Sequence, residues 1–119
     1  MGWSVQVLVQ ANRTTGGVMM CKLIPRTLLK DIPDLYETEE SLDPICHVKL
    51  FTPDSNWTWY VIEFSKENST TCFGYVQGFE RELGYFDLGE LESLHGSLGL
   101  PVERDLSFKP TLLSKIKRG

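Results

Sequence analysis

The segment from Trp57 to Phe64 constrains the fold of this chain more than any other part of it. Seven of its eight residues are aromatic or β-branched, a composition that favours a β-strand. Alternation along a strand divides the segment into two apolar faces, with Tyr60, Ile62 and Phe64 on one and Trp57, Trp59 and Val61 on the other. A strand that is apolar on both faces is predicted to lie centrally in a sheet that is covered on both sides.

Strand and helix patterns flank this segment and are separated by turn residues. Further strands are predicted at 45–51, 71–76 and 84–86, with a last extended segment at 105–108. Short helices are predicted at 25–32, from a capping box at Asp87 and Glu90 to about His95, and at 111–117. The sequence therefore predicts one α+β domain, an antiparallel sheet of four to five strands with two to three short helices.

The charge distribution limits the classes of partner. The formal net charge is −4, and the basic residues Lys109, Lys115, Lys117 and Arg118 end the chain with no acid among them. An acidic body disfavours duplex binding, which depends on neutralising phosphates, so the basic end alone keeps nucleic acid open. No run of apolar residues has the length of a membrane span and no secretory signal is present, so the expected location is the cytoplasm.

The cysteines and histidines form no recognisable catalytic or metal-binding motif. Cys21, Cys46 and Cys72 are odd in number and lack CxxC spacing, so we expect buried free thiols at Cys46 and Cys72. His47 follows Cys46 directly, so on a strand the two side chains point to opposite faces, which argues against Cys–His catalysis. His95 is expected at a helix end. No phosphate-binding glycine loop is present, and no cofactor is predicted.

Four motifs resemble a known family. They are Leu23-Ile24-Pro25, Tyr36-Glu37-Thr38-Glu39, Glu-Leu-Gly-Tyr-Phe-Asp-Leu-Gly-Glu-Leu-Glu-Ser-Leu at 82–94 and Gly-Leu-Pro-Val-Glu-Arg-Asp-Leu-Ser-Phe-Lys-Pro at 99–110. Over residues 22–110 the chain resembles a domain-of-unknown-function family, DUF2958, of small proteins whose genes lie mostly on plasmids, phages and other mobile elements. The resemblance implies a fold and an accessory gene of an integron or plasmid, but no reaction and no catalytic residues.

The resemblance also divides the chain. Because family members open near Leu-Ile-Pro, residues 1–19 are interpreted as an extension and residues 20–119 as the single α+β domain. Two interpretations of the extension stay open. It is either a translated upstream region, with the true start at Met19 or Met20, or an added strand in which Val5, Val7 and Val9 alternate with Gln6, Leu8 and Gln10.

The tripeptide Glu103-Arg104-Asp105 is the strongest charged candidate site. An extended backbone places Glu103 and Asp105 on one side and Arg104 on the other. One interpretation is a structural network in which Arg104 bridges carboxylates through its planar guanidinium. The other is a carboxylate cluster, including Glu80, that holds a divalent cation or a cationic group of a partner; Glu103 and Asp105 are then the candidate metal ligands.

Aromatic residues supply the remaining candidates. Tyr36, with Glu37 and Glu39, could bind a peptide or basic partner, or could simply pack on the sheet edge from a solvated loop. Trp57 and Trp59 could form a stacking platform for single-stranded nucleic acid, but within the neighbouring strands only Lys49 is basic, so core filling is the default interpretation.

We therefore expect a small, non-enzymatic accessory protein of mobile DNA that binds another macromolecule, foremost a protein. The alternative is a small metal- or nucleotide-dependent enzyme that uses Glu80, Glu103 and Asp105 around Arg104. Nucleic-acid binding through the strand aromatics and basic tail ranks third. A homodimer is compatible with each of these functions.

Overall fold

A computed structural model describes residues 23–119 of the chain. The interpretations of residues 1–19, including the added strand, lie outside these described residues. The elements follow in the order α1 (Arg26–Leu29), β1 (Ile45–Cys46), β2 (Val48–Phe51), β3 (Thr58–Phe64), β4 (Thr71–Gln77), β5 (Arg81–Asp87), α2 (Leu88–Glu92), β6 (Glu103–Arg104), β7 (Thr111–Leu112) and α3 (Leu113–Arg118).

The predicted fold class is confirmed. Five antiparallel strands form a sheet in the order β5-β4-β3-β2-β6, and β1 pairs with β7 in a separate two-stranded sheet. The central strand β3 lies where its composition predicted, with six of its seven residues buried. A meander of β2, β3, β4 and β5 forms the body of the sheet, since each strand pairs antiparallel with the next.

Each face of the large sheet carries a hydrophobic core. The larger core combines β2 and β3 residues with the N-terminal segment and α2; its buried members are Ile24, Ile32, Val48, Leu50, Trp59, Val61, Phe64, Cys72, Leu88, Leu91 and Val102. The smaller core lies on the opposite face under the C-terminal segment and contains Cys46, Tyr60, Ile62, Tyr75 and Leu113. The prediction that both faces of the central strand are covered is therefore correct.

The face of the sheet predicted for the Phe64 side chain was wrong. Simple alternation grouped it with Tyr60 and Ile62, but Phe64 packs in the larger core beside Trp59 and Val61. The pairing of β3 with β4 shifts between Val61 and Glu63, leaving Ile62 as an extra residue. A β-bulge of this kind inverts the facing of every later residue in the strand.

The bulge also decides where Glu63 points. Its buried carboxylate accepts the backbone N–H groups of Tyr36 at 2.8 Å and Thr38 at 2.9 Å, and also the Thr38 hydroxyl. Tyr36 has a φ of 72°, a left-handed conformation that disfavours a residue with a Cβ. Glu63 therefore holds in place the Tyr-Glu-Thr-Glu loop that the sequence singled out.

Several predicted boundaries need correction. The strand predicted at 45–51 breaks at His47, because β1 pairs with β7 while β2 pairs with β3. Residues 105–108 form a turn and not a strand, since the Asp105 carboxylate accepts the N–H and hydroxyl of Ser107 and so competes with the extended form. The strand predicted at 84–86 extends over all of β5, whose pairing with β4 is continuous from Arg81 to Asp87.

The three helices are shorter than predicted. The first ends at Leu29, α2 ends at Glu92, and α3 begins only at Leu113 because Thr111 and Leu112 pair with β1. Leu112 is 38% exposed. Asp87 caps α2 as the motif predicted, accepting the Glu90 N–H at 3.1 Å. No residue of α3 itself caps that helix; the carboxylate of Asp43 accepts the Ser114 N–H at 2.8 Å instead.

Replacing Glu63 with Ala is expected to lower the free energy of unfolding by on the order of 3 kcal/mol, because it removes a buried acceptor of three donors. Glu63→Gln should cost less, since one of its oxygens still accepts. Urea denaturation measures both, with Glu67→Ala in the exposed 65–70 turn as the matched control. An Ala variant as stable as that control would show that Glu63 does not hold the loop.

Candidate functional site

Two open clefts lie at the end of the sheet formed by the 52–57 turn, and Trp57 borders both. The first, of about 640 Å³, lies on the face that bears Lys49, Phe51 and Glu103. The second, of about 590 Å³, lies on the face that bears the larger core, and we call it the tryptophan groove. The groove is lined by Thr52, Ser55, Trp57, Trp59, Tyr85, Phe86, Asp87, Glu90, Leu91, Leu94, His95, Gly96 and Ser97.

The floor of the tryptophan groove is a pair of stacked indoles. Trp57 and Trp59 are two residues apart, so they share a face of the sheet at the start of β3. Their rings are nearly parallel, at 22°, with centroids 5.8 Å apart, and Phe79 packs edge-on against Trp57 at 5.4 Å. Trp59 is buried whereas Trp57 is half-buried, so only the outer indole offers its surface to a ligand.

One wall of the groove is α2, which Asp87 fixes to the sheet. The Asp87 carboxylate accepts the Thr70 hydroxyl at 2.6 Å as well as the Glu90 N–H, so it joins the helix start to the end of the β3–β4 turn. Leu88 and Leu91 anchor the other side of the helix in the larger core. Glu90 and Leu94 are left beside the groove.

The opposite wall is the 95–101 loop, which Asp54 holds. One carboxylate oxygen of Asp54 accepts the N–H of Leu98 at 2.7 Å and that of Leu100 at 3.1 Å, and its carbonyl accepts the Ser97 hydroxyl at 3.0 Å. The other oxygen, Oδ1, is buried, has no hydrogen-bond partner within residues 23–119, and would lie 1.5 Å from a Cβ at Gly96. The wall therefore needs a glycine at position 96.

The rim of the tryptophan groove is acidic. Of the described residues that line it, Asp87 and Glu90 are the carboxylates, His95 is the one ionisable base, and none is Lys or Arg. The His95 ring bonds the Ser93 carbonyl through Nδ1 at 3.0 Å, which holds the imidazole beside the rim. An apolar floor beneath carboxylates matches a ligand that carries both apolar and cationic groups.

The Glu103-Arg104-Asp105 tripeptide separates into three different environments. Arg104 turns toward the larger core and donates from Nε to the carbonyl of Leu23, 81 residues away, at 3.0 Å. Asp105 pairs with Lys49 at 3.7 Å, the one salt bridge within residues 23–119, and Glu103 is exposed at the edge of the first cleft. Arg104 thus joins two motifs of the family through a backbone carbonyl and not by bridging carboxylates.

Hydrogen bonds from Ser107 and, secondarily, the charge of Lys49 lower the pKa of Asp105 below its ordinary value. Its carboxylate is therefore ionised at neutral pH and is already occupied by groups of the same chain. Glu80 lies beyond β4, three interstrand spacings from Glu103 on β6, which corresponds to roughly 14 Å. The structure does not bring Glu80 together with Glu103 and Asp105.

No group of three or more His, Cys, Asp or Glu side chains in the described range could hold a metal ion.

The candidate residues of the 36–39 loop lie elsewhere on the surface. Tyr36 is 61% exposed and its ring centroid lies 6.5 Å from that of Tyr85 on β5, while Glu37 accepts the Asp34 N–H and Glu39 is exposed. Tyr36 therefore packs against the edge strand, as one interpretation of the loop predicted.

Cys46 and Cys72 are both buried, as expected, and Cys46 is a free thiol. Burial, and then the negative charge of Asp43, raises the pKa of Cys46 to about 12, so the thiol is protonated at neutral pH. Burial lowers the pKa of His47 below its ordinary value despite the opposing charge of Asp31. A protonated thiol next to a neutral imidazole is not an activated nucleophile.

Sequence reasoning found Trp57 and Trp59 but missed the groove around them. Asp54, Glu63 and Gly96 were not singled out, although each fixes a loop. The signal for Asp54 was its place in the turn Thr-Pro-Asp-Ser-Asn, where an Asp side chain often accepts nearby N–H groups. Nothing local pointed to its partners Leu98 and Leu100, which lie 44 and 46 residues away.

Fold and site together define a small α+β domain with an aromatic, acid-rimmed groove beside one end of an antiparallel sheet. Residues 23–116 match the family described as protein of unknown function (DUF2958), and the chain belongs to that family. Neither a curated protein nor a solved structure matches the chain. None of the helices within residues 23–119 is long and apolar enough to cross a membrane.

Substituting Gly96 with Ala is expected to displace the 95–101 loop, because the added Cβ would overlap a buried carboxylate oxygen of Asp54. We expect a loss of about 2 kcal/mol in the free energy of unfolding and faster amide exchange at Leu98 and Leu100. Gly84→Ala is the matched control, since a Cβ at Gly84 meets nothing within 4 Å. Equal exchange rates in the two variants would contradict this role of Asp54.

A Cys21→Ser variant should show no thiol reactive toward Ellman's reagent at pH 8 while folded, and two in denaturant. Both Cys46 and Cys72 are fully buried, and the thiolate of Cys46 is strongly disfavoured. The rate of absorbance change measures the reaction. Prompt labelling of one thiol in the folded protein would contradict the burial of that cysteine.

Proposed function

We propose that this protein is a non-enzymatic binding module whose tryptophan groove receives a segment of a partner protein that carries apolar and basic side chains. The observation that supports this function most directly is the stacked Trp57–Trp59 pair lying under a rim formed by Asp87 and Glu90. The groove also has a volume within the range of sites that bind small ligands or anchoring side chains.

The chemistry of the groove selects for a basic side chain. The face of an indole attracts Lys and Arg, and a contact of this kind contributes about 0.5–2 kcal/mol depending on how far the cation is desolvated. The carboxylates of Asp87 and Glu90 add electrostatic attraction, which raises the association rate and excludes acidic partners. The half-buried Leu94 on the α2 side supplies contact area for an apolar neighbour of the basic residue.

The proposal extends to the setting of the protein. We place it in the cytoplasm, as the sequence patterns led us to expect, and we infer an accessory protein encoded on mobile DNA because the family resemblance implies that genetic setting. A partner could then belong to the mobile element or to its host. The geometry around Glu80, Glu103 and Asp105 offers the enzymatic alternative no specific support, so that alternative and nucleic-acid binding enter only as outcomes of the test.

The test uses the full chain with Trp3→Phe, so that Trp57 and Trp59 report by fluorescence. The probes are four capped peptides of equal length built from Ala and Leu, with Arg, Lys, Glu or Gln at the same positions. We expect the Arg and Lys peptides to bind and shift the emission, with affinity falling as salt rises, and the Glu peptide not to bind.

Matched variants locate the binding. Trp57→Ala is expected to weaken binding about tenfold, and Glu90→Gln roughly threefold, while Glu40→Gln, on an exposed residue that does not line the groove, should leave it unchanged. Binding of oligothymidylate or of Mg²⁺-ATP with no response to the basic peptides would overturn the proposal in favour of the nucleic-acid or enzymatic alternative. Equal binding of the Glu and Lys peptides would also overturn it.

A further inference from the structure

The long edge strand β5 presents unpaired backbone groups. Gly78 donates its N–H to the Glu80 carbonyl, and Leu88 donates to the Thr70 carbonyl, so these pairs at the two ends of the β4–β5 ladder are hydrogen-bonded. Bonded and non-bonded pairs alternate in an antiparallel ladder. The even-numbered residues of β5 therefore bond to β4, and the odd-numbered ones direct their N–H and C=O groups outward.

No hydrogen bond from elsewhere in residues 23–119 satisfies the outward backbone groups of Leu83 and Tyr85. The two edges of the sheet differ in this respect. The opposite edge strand, β6, has only two residues, and a very short edge strand is a common protection against unwanted pairing. β5 has seven residues, contains neither Pro nor Lys, and carries the exposed side chains of Leu83 and Tyr85.

The sequence of β5 is complementary to itself when read antiparallel about Gly84. Arg81 then lies opposite Asp87 of the second copy, and Leu83 lies opposite Tyr85 of the second copy. Opposite charges and an aromatic–aliphatic pair are each favourable when they face one another across neighbouring strands. All these residues are odd-numbered, so the same register also pairs their outward N–H and C=O groups.

Gly84 lies at the centre of this register, and residues 23–119 of its own copy give it no steric reason for being glycine. A Cβ there would meet nothing within 4 Å, whereas one at Gly74 would overlap the Tyr60 carbonyl. Glycine inside a strand often marks a place where another backbone approaches closely. In the proposed register Gly84 faces its own counterpart as a non-hydrogen-bonded pair, the type with the shorter Cα–Cα separation, of about 4.5 Å.

We propose that two copies of this chain pair antiparallel through β5, with Gly84 on the two-fold axis, to form one continuous ten-stranded sheet. The register sets Glu82 of the second copy opposite Phe86, a residue that lines the tryptophan groove. Each copy then adds a carboxylate beside the groove of the other. Edge pairing of this length buries less area than a standard interface, so we expect a dissociation constant on the order of tens of micromolar.

Disulfide trapping tests the register directly. In a Cys21→Ser background, Gly84→Cys sets two thiols opposite each other at a Cα–Cα distance that suits a disulfide. Glu82→Cys is the matched control: it lies on the same strand face, but the two copies of residue 82 are offset by four residues, roughly 13 Å. Under mild oxidation we expect Gly84→Cys to form a covalent dimer at least about tenfold faster than Glu82→Cys.

Sedimentation velocity of the full chain provides a second measurement, which no engineered thiol can bias. A species of twice the 13.6 kDa chain mass should accumulate as the concentration rises. Arg81→Glu sets like charges opposite each other and should weaken the dimer about tenfold. Adding Asp87→Asn, which keeps a cap for α2, removes the repulsion and should restore most of the affinity.

Three results would overturn the proposal. The first is a chain that stays monomeric at about 500 μM, well above the expected dissociation constant. The second is equal or faster cross-linking of Glu82→Cys, which requires a different contact or register. The third is a dimer that Arg81→Glu does not weaken. Peptide binding in the groove of a single copy is measured separately by the fluorescence test of the proposed function, so failure of the dimer would leave that function standing.

Discussion

The buried carboxylate of Glu63 is the interaction on which the rest of the structure depends. An acid in the most apolar strand of the sheet would face the larger core if alternation continued from Trp59 and Val61. The bulge at Ile62 prevents this by turning Glu63 to the other face and Phe64 inward. The Glu63 side chain then accepts from three donors in the 36–38 loop, so the cost of burying a polar group is offset by hydrogen bonds. The bulge thus gives Glu63 its hydrogen-bond donors and places Phe64 in the larger core.

The same principle, a carboxylate that gathers donors from a distant loop, recurs around the sheet. Asp54 holds the 96–100 backbone, Asp87 joins α2 to the β3–β4 turn, and Asp43 caps α3 from a loop far away in sequence. The hydrogen bonds from Ser114 lower the pKa of Asp43, so this cap is present above the ordinary carboxyl pKa and is lost as the pH falls through the lowered value. From composition alone, acidic residues would be expected on a solvated surface. Several of them instead stabilise short helices and loops.

A feature of the fold could be predicted from the sequence when the residues that determine it lie close together in the chain. The central strand β3, the β4 partner and the Asp87 cap follow from residues close together in the chain, and the structure has them where they were predicted. The break at His47 could not be read locally, because it exists only through pairing with β7, more than sixty residues later. The bulge was missed because strict alternation assigned an apolar face to each β3 residue without asking where Glu63 would find donors.

For the candidate site, the indoles were visible in the sequence but the groove was not. One wall is α2, and the other is the 95–101 loop, which hydrogen-bonds to Asp54. No local sequence pattern indicates that these two elements lie on either side of the indoles. The charged tripeptide was predicted to form one cluster around Arg104. In the structure, Arg104 instead donates to the Leu23 carbonyl, while Asp105 accepts from Ser107 and pairs with Lys49. β6 contains only Glu103 and Arg104, whose side chains point to opposite faces, and Asp105 already belongs to the following turn, so adjacency in sequence does not create a shared site.

The groove and the open edge meet at the end of β5, and this has a thermodynamic consequence. Phe86 and Asp87 line the groove and also lie in the strand whose outer edge is unpaired. In the proposed dimer, Glu82 of the second copy stands opposite Phe86, so a basic segment in the groove would contact both copies. A ligand that binds the dimer more tightly than the monomer must strengthen dimerisation by the same factor, since the coupling between two equilibria is reciprocal. The β5 dimer, which is weak by itself, is then suited to form when a partner binds. The contact of the partner with Glu82 of the second copy can shift a monomer–dimer equilibrium that is close to balanced.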